Sequence, residues 1–196
     1  MLIWVCAMRC EAKPVIDYYR LQKYEDRSLP FGLYQSADKY CIISGIGRHN
    51  TADTLTQAQA SLQLSGPTHW INLGIAGHKS LAVGSLRVIK QAADARQNDV
   101  IKLQQAPDTA LKTASIISVN NETTHYPDSA IIDMEAYHFA SHCQSAEQIH
   151  SFHCLKVISD NAASQPTRNK ARISALITDN MAQITDFARH LEDTSQ

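Results

Sequence analysis

The sequence predicts an α/β protein in which a single domain spans residues 1–196, with a central mixed β-sheet flanked by helices. Short runs rich in Ile and Val alternate along the chain with segments of helical periodicity. Most of these runs lack strict polar alternation, which is typical of strands in a sheet covered on both faces. A length of 196 residues with a hydrophobic share of 44% can fill one compact core.

The elements follow in order from these patterns. The apolar runs predict strands at Leu2–Ala7, Lys39–Ser44, His69–Leu73, Ser85–Lys90, Ala114–Val119 and His153–Ile158. Amphipathic spacing predicts helices at Glu11–Leu21, Arg48–Leu64, Asp133–Cys143 and Thr167–Leu191. In the last of these, apolar residues recur at every third or fourth position, as a face toward the core requires. The stretch Gln91–Thr113 is polar and weakly periodic, so we interpret it as a surface connection.

Charge and cysteine usage exclude several functional classes. The formal net charge is −1, without a long basic run, which argues against nucleic acid or an anionic membrane as partner and favours a small molecule. No stretch reaches the roughly 18 apolar residues of a membrane span, and the short N-terminal apolar run is expected to be a strand. The cysteines form no CxxC pair, which predicts reduced thiols and a cytoplasmic location. We expect no metal and no cofactor.

Ligands of α/β sheets bind at the carboxyl ends of the strands, so the residues after each apolar run are candidates for chemistry. These residues are Met8-Arg9-Cys10-Glu11, Gly45-Ile46-Gly47-Arg48, Gly74-Ile75-Ala76-Gly77 and Ser159-Asp160-Asn161. The sequence therefore predicts that two glycine-rich turns and two carboxylates meet at one edge of the sheet.

The turn Gly45-Ile46-Gly47 precedes a helix, where free N–H groups could hold an anion or a ligand oxygen. It is not a dinucleotide-binding fingerprint because Asn50 stands at the third glycine position, and it lacks the Gly-Lys-Ser/Thr of a P-loop. On this motif alone, a tight turn that needs positive φ is the preferred interpretation.

Three carboxylates, those of Glu11, Asp160 and Glu135, are candidates for a function. Glu11, in the first turn of a helix, could simply be favoured by the helix dipole, and Asp160 could be an N-cap. Glu135 lies among apolar neighbours, where a buried carboxylate needs a hydrogen-bonding partner such as the hydroxyl pair of a ligand. Taken together with the glycine turns, the three favour a binding site.

Five motifs in order resemble those of the purine nucleoside phosphorylase/uridine phosphorylase superfamily, and most of all its 5′-methylthioadenosine/S-adenosylhomocysteine nucleosidases. The motifs are Ala7-Met8-Arg9-Cys10-Glu11, Ser44-Gly45-Ile46-Gly47, Asn72-Leu73-Gly74-Ile75-Ala76-Gly77 with Val83-Gly84-Ser85, Asp133-Met134-Glu135-Ala136, and Ile158-Ser159-Asp160. They cover about a third of the chain.

This resemblance implies hydrolysis of the N-glycosidic bond of a purine-type nucleoside. It implies that Glu11 activates the attacking water and that Asp160 protonates the base, while Glu135 holds the ribose hydroxyls and Met134 packs beneath the sugar. A proton donor and a general base suit a reaction that builds positive charge on the sugar and negative charge on the base. The other residues expected to bind substrate are Met8, Gly45, Gly47, Gly74, Ala76, Asp133 and Ser159.

The chain departs from the family pattern at several positions. Ile75 replaces a small hydroxyl residue, His78 replaces a glycine, and Asn120–Thr123 stands where relatives carry part of the base-binding loop. The chain is also shorter than its relatives around residues 91–123. Two alternatives therefore stay open, namely a phosphate-dependent nucleoside phosphorylase, with Arg48 and Arg87 as anion partners, and a catalytically weak nucleoside-binding protein on the same scaffold.

The resemblance also implies a homodimer in which a neighbouring subunit closes the sugar side of the pocket. Aromatic side chains favour such interfaces, although burial within the monomer is the commoner fate of any single one. The candidates are Trp70, Tyr126, Tyr137 and Phe139.

Overall fold

The computed structural model describes residues 1–25, 29–62, 64, 66–97, 99–104 and 110–194. In these residues ten strands form one mixed sheet, and five helices pack on it. The strands are β1 (Leu2–Cys6), β2 (Gln22–Lys23), β3 (Gly32–Ser36), β4 (Lys39–Ile43), β5 (His69–His78), β6 (Leu86–Asp94), β7 (Val100–Lys102), β8 (Thr113–Ser118), β9 (Ile131–Asp133) and β10 (Ser151–Asn161). The helices are α1 (Arg9–Tyr19), α2 (Arg48–Ser61), α3 (Ala136–Ser145), α4 (Lys170–Asp179) and α5 (Met181–Asp193).

The sheet has a curled part and an open part. Strands β5, β10, β6, β8 and β9 pair in a closed circuit, while β1, β4, β3 and β2 continue outward from β5. β1 is parallel to both β4 and β5, and β5 is parallel to β10, so the carboxyl ends of β1, β5 and β10 lie at the same edge. The predicted α/β class with a central mixed sheet is confirmed; the closed circuit was outside the prediction.

Two apolar cores cover the two faces of the sheet. One face packs against α2 and α3 through Leu55, Trp70 and Phe139. The other packs against α1, α4 and α5 through Trp4 and Phe187. Because both faces of the sheet are covered, the sequences of the central strands are continuous apolar runs rather than alternating apolar and polar residues.

Three of the four aromatic candidates for a dimer surface lie in the interior. Trp70 and Phe139 are fully buried and Tyr137 is 6% exposed, so these three have the commoner fate of burial within the monomer and do not form an interface surface. Burial of aromatic area in the core is their contribution to stability.

Two segments predicted to follow strands lie inside them. β5 continues through Gly74–Gly77, because these residues keep pairing with Lys156–Asp160 of β10. β10 likewise continues through Ser159 and Asp160 to Asn161. The glycines were interpreted as turn formers, but here they permit close approach of side chains to a strand.

Helix boundaries also differ from the prediction. The helix expected at Asp133–Cys143 begins at Ala136, since Asp133 ends β9 and Glu135 is the N-cap. The helix expected at Thr167–Leu191 is divided into α4 and α5 at Asn180. The Asn180 side-chain amide donates to the carbonyls of Leu176 and Gly84, both at 2.9 Å, which holds the break in place. The helix predicted to reach Leu64 ends at Ser61.

The strands β2, β3, β7 and β9 were not predicted, because they are short or contain few β-branched residues. The stretch Gln91–Thr113, expected to be a surface connection, carries the end of β6 and all of β7. Its residues 98 and 105–109 lie outside the described residues. Among the helices of the described chain, none has the length and apolar character needed to cross a membrane.

Candidate active site

A cavity of ≈ 530 Å³ opens where β1, β5 and β10 end, within the size range of small-molecule sites. Apolar side chains such as Ile46, Ile75 and Ile173 form much of its lining. Predicted site residues that line it are Met8, Glu11, Ala76, Asp133, Met134, Glu135, Ser159 and Asp160. Gly45, Gly47 and Gly74 were also predicted, but they are not among the residues that line it.

Glu11 enters the cavity from the first turn of α1, directly after β1. Its carboxylate accepts a hydrogen bond from the Met8 N–H at 2.9 Å and one from the Ile75 N–H at 3.0 Å. The residue is 3% exposed, and burial raises the pKa of Glu11 above its ordinary value, an effect that Lys156 partly offsets. A Cβ on Gly74 would lie 2.9 Å from Glu11 Oε1, so glycine is needed there for the carboxylate to fit.

Lys156 supplies the positive charge beneath the cavity. It is 1% exposed on β10, and its Nζ lies 2.9 Å from Asp133 Oδ2. Burial alone would lower the pKa of Lys156, but Asp133, Glu135 and Glu11 outweigh it and raise that pKa above its ordinary value. The ammonium therefore stays charged in the interior.

Asp133 links this charge to the strand and helix around it. Its Oδ1 accepts from the Ser118 hydroxyl at 2.6 Å, and its Oδ2 accepts from the Ala136 N–H at 2.9 Å. The Ser118 hydroxyl oxygen in turn accepts from the Tyr137 N–H at 2.9 Å. Asp133 is thus held in place by groups of its own chain at the lining of the cavity, and its contact with a ligand stays a prediction.

Glu135 connects two helices. Its Oε1 accepts from the Gly47 N–H at 2.7 Å, and Gly47, with φ +86°, is the N-cap of α2. Burial, together with the nearby Asp133, raises the pKa of Glu135 to about 8, while Lys156 lowers it in part. The Gly45 N–H donates to the Ala7 carbonyl at 3.1 Å. The N–H groups of Gly45 and Gly47 therefore bond within the protein, and the positive φ of both glycines confirms the preferred interpretation of a tight turn.

Asp160 lies on β10 at a point where the regular pairing with β5 is interrupted. An extra residue between Ile158 and Asp160 shifts the pairing with β5, which redirects the side chain. The carboxylate accepts hydrogen bonds from the hydroxyls of Ser159 and Tyr126. A Cβ on Gly77 would lie 2.6 Å from Asp160 Oδ2, so glycine makes room here as well.

Lys156 and Tyr126 are the two site residues that sequence reasoning missed. The signal for Lys156 was a charged residue inside the apolar run Cys154–Ile158, where a lysine must find an acidic partner. Tyr126 was noticed only as a candidate interface aromatic, because nothing in a loop sequence indicates which strand its hydroxyl reaches.

The departures from the family pattern have structural explanations. His78 is buried, and its Nδ1 accepts from the N–H groups of Ser80 and Leu81, both at 3.0 Å, which closes the turn after β5. Ile75 uses its backbone N–H to hold Glu11, and its apolar side chain lines the cavity. Arg48 and Arg87, considered as anion partners, are not among the described residues that line the cavity.

The residues that the structure describes contain no cluster of three or more His, Cys, Asp or Glu side chains able to hold a metal ion. The cysteines they contain are all free thiols.

Solved structures similar to this chain include three nucleosidases. The 5′-methylthioadenosine nucleosidase of Arabidopsis thaliana superposes with a TM-score of 0.75 at 15% identity, covering 95% of this chain and 94% of that one. A Helicobacter pylori 5′-methylthioadenosine/S-adenosylhomocysteine nucleosidase with butyl-thio-DADMe-Immucillin-A gives 0.73 at 16%, covering 96% and 97%. A Chlamydia trachomatis nucleosidase bound to adenine gives 0.71 at 18%, covering 95% and 98%.

These likenesses establish a shared fold over nearly the whole chain, which confirms at the level of fold the resemblance read from the motifs. No protein-family model and no curated protein sequence matches the chain.

Proposed function

We propose that this protein is a nucleosidase, which hydrolyses the N-glycosidic bond of a purine-type nucleoside related to 5′-methylthioadenosine or S-adenosylhomocysteine. The observation that carries the proposal is the placement of Glu11 and Asp160, each fixed by donors of its own chain, in one largely apolar cavity. The fold is shared with nucleosidases whose structures hold such ligands, which supports the same conclusion.

In this mechanism Glu11 is the general base. It takes a proton from a water molecule whose oxygen bonds to the anomeric carbon of the sugar. Burial raises the pKa of Glu11, and a higher pKa makes the carboxylate a stronger base. The N–H groups of Met8 and Ile75 fix its orientation.

Asp160 is the general acid. As the bond between sugar and base breaks, the electron pair stays on the base and a ring nitrogen takes the proton from Asp160. The reaction leaves Glu11 protonated and Asp160 ionised, and exchange with solvent returns both to their starting forms. The carboxylates of Glu11 and Asp133 place negative charge near the sugar, where the transition state becomes positive.

The experiment that tests the proposal measures free base after incubation of the protein with a panel of nucleosides, with and without phosphate. Release of base and free sugar without phosphate is the expected result, because Arg48 and Arg87 do not line the described cavity and Arg168, which does, is paired with Glu122. Product that forms only with phosphate, as a sugar 1-phosphate, would identify a phosphorylase. Binding of nucleosides without release of base would identify a binding protein.

We assign the ribose hydroxyls to Glu135, with Met134 beneath the sugar. Replacing Glu135 by glutamine is expected to raise KM for ribosides about tenfold and leave 2′-deoxyribosides less affected, because one hydrogen bond between the carboxyl group and a ribose hydroxyl is lost. The glutamine oxygen can still accept from the Gly47 N–H, so the fold is retained. Steady-state kinetics on paired substrates, with the exposed Glu147→Gln as control, checks this. Equal losses on both substrates would remove the ribose assignment.

We further propose that residues 1–196 form one domain and that two copies associate as a homodimer in the cytoplasm. The free thiols support a reducing compartment. A stable dimer should bury at least ~1,000 Å² in total. Light scattering at micromolar concentration is expected to give twice the chain mass of 21.7 kDa. A mass of one chain with full activity would show that the pocket is complete within one subunit.

A further inference from the structure

Tyr126 stands at the boundary of the cavity, in the connection between β8 and β9. Its hydroxyl donates to Asp160 Oδ2, and its ring lies against β5, where a Cβ on Gly77 would be only 2.5 Å from Tyr126 Cε1. The side chain lines the main cavity on one side and a shallow depression containing Lys79 and Pro127 on the other. Its position is therefore determined by the glycine beneath it and the carboxylate beside it.

We propose that Tyr126 is a positioning residue for the reaction, which orients Asp160 toward the leaving base and stabilises the carboxylate that remains once the proton has moved. This inference rests on the proposed nucleosidase function, and it concerns a residue to which the motifs assign no role.

The hydrogen bonds of Asp160 carry the argument. The Ser159 hydroxyl occupies Oδ1 and the Tyr126 hydroxyl occupies Oδ2, so both oxygens are held by donors of the chain. A carboxyl oxygen has two acceptor sites, and Oδ2 can carry the transferable proton while it accepts from Tyr126. When the proton passes to the base, negative charge develops on this oxygen and the phenol hydrogen bond becomes charge-assisted and stronger.

Tyr126 can act only as a donor in this arrangement. Burial and the contact with Asp160 raise the pKa of Tyr126 above its ordinary value of 10, so the phenol keeps its proton wherever the enzyme would work. A donor that remains protonated stabilises the carboxylate in preference to the carboxylic acid. The effect of Tyr126 is consequently to stabilise the negative charge left on the Asp160 carboxylate.

Other charged groups surround this pair, and most are paired with each other. Lys79 Nζ lies 2.8 Å from Asp128 Oδ1, and Arg168 Nη2 lies 2.8 Å from Glu122 Oε2. His78 accepts two backbone hydrogen bonds in the turn after β5. These contacts do not involve the phenol hydroxyl, so they are expected to persist when that hydroxyl is removed.

The test replaces Tyr126 by phenylalanine, which keeps the ring on Gly77 and removes only the hydroxyl. The Asp160 carboxylate then lacks the donor that orients it and that stabilises the charge left on Oδ2 after proton transfer. At the optimum, kcat is expected to fall on the order of tenfold with KM nearly unchanged.

Tyr18→Phe is the matched control, since Tyr18 is 53% exposed on α1 and its replacement should leave kcat and KM unchanged. A kcat of Tyr126→Phe at the wild-type value, or a loss confined to KM, would overturn the proposal. A purely structural role would lower thermal stability without this selective loss of kcat.

Ultraviolet titration of the phenols separates this inference from the proposed function. The difference between wild type and Tyr126→Phe isolates the ionisation of Tyr126, which is expected to occur at lower pH when Asp160→Asn is present in both. An unchanged difference curve would refute the coupling between Tyr126 and Asp160. If the wild type releases no base from any nucleoside while the curve does move, the nucleosidase proposal fails and the hydrogen bond stands.

Discussion

Replacing Glu11 by glutamine is expected to lower kcat on the order of 10²–10⁴-fold, the usual contribution of a general base. Both carboxylate oxygens accept from backbone N–H groups, those of Met8 and Ile75. The glutamine amide must therefore face one donor, which should cost about 1–3 kcal/mol of stability without unfolding the protein. Release of free base from the best substrate of the panel measures the effect.

The control for this variant is Asp17→Asn, which removes an exposed carboxylate from the same helix α1. It is expected to retain wild-type turnover. The pH profile supplies a second check: because burial raises the pKa of Glu11, wild-type activity should be lost as pH falls through a value above the ordinary 4.5. Turnover of Glu11→Gln within a few-fold of wild type would remove Glu11 from the mechanism.

Replacing Lys156 by methionine is expected to destabilise the fold by about 3–5 kcal/mol, because Asp133 would lose the only cation within ion-pair distance among the described residues. For a chain of this size such a loss lowers Tm by about 6–20 °C. Turnover should fall as well, since loss of the ammonium raises the pKa values of Glu11 and Glu135 further and disfavours the ionised form of the base.

Calorimetry of Lys156→Met across pH checks the cause. Lowering the pH protonates the uncompensated carboxylates, so the deficit relative to wild type is expected to shrink between about pH 8 and pH 5. Lys90→Met, at an exposed position of β6, is the matched control and should change Tm little. A deficit that stays constant with pH would indicate lost packing rather than lost charge compensation.

The sequence predicted the parts of the fold that depend on apolar periodicity. The strand at Leu2–Cys6 and the helices α1 and α2 lie within a few residues of the expected positions. The end of β5 was missed because Gly74 and Gly77 have the composition of a turn, whereas here the missing side chains accommodate Glu11 and Asp160. A glycine in the sequence does not by itself show whether the backbone turns there or a neighbouring side chain approaches it closely.

The candidate site was predicted to the extent that its residues fall in motifs. Glu11, Glu135 and Asp160 were identified from their local surroundings and the resemblance. The pairing of Lys156 with Asp133 depends on the register between distant strands, and the reach of Tyr126 depends on how a loop folds back over β5. Neither can be obtained from local sequence, because each joins residues far apart in the chain.

Because the cavity lies on the strand pair β5 and β10, its floor and its walls are expected to open on different timescales. β5 is bonded on its edges by β1, β10 and β9, and β10 by β5 and β6, so their amide protons can exchange with solvent only through large and rare openings. The connections at 119–130 and 162–169, which form the walls, carry few such ladders and can open locally. A ligand of the cavity is thus expected to enter and leave through these walls, while the floor keeps Glu11 and Asp160 fixed in position.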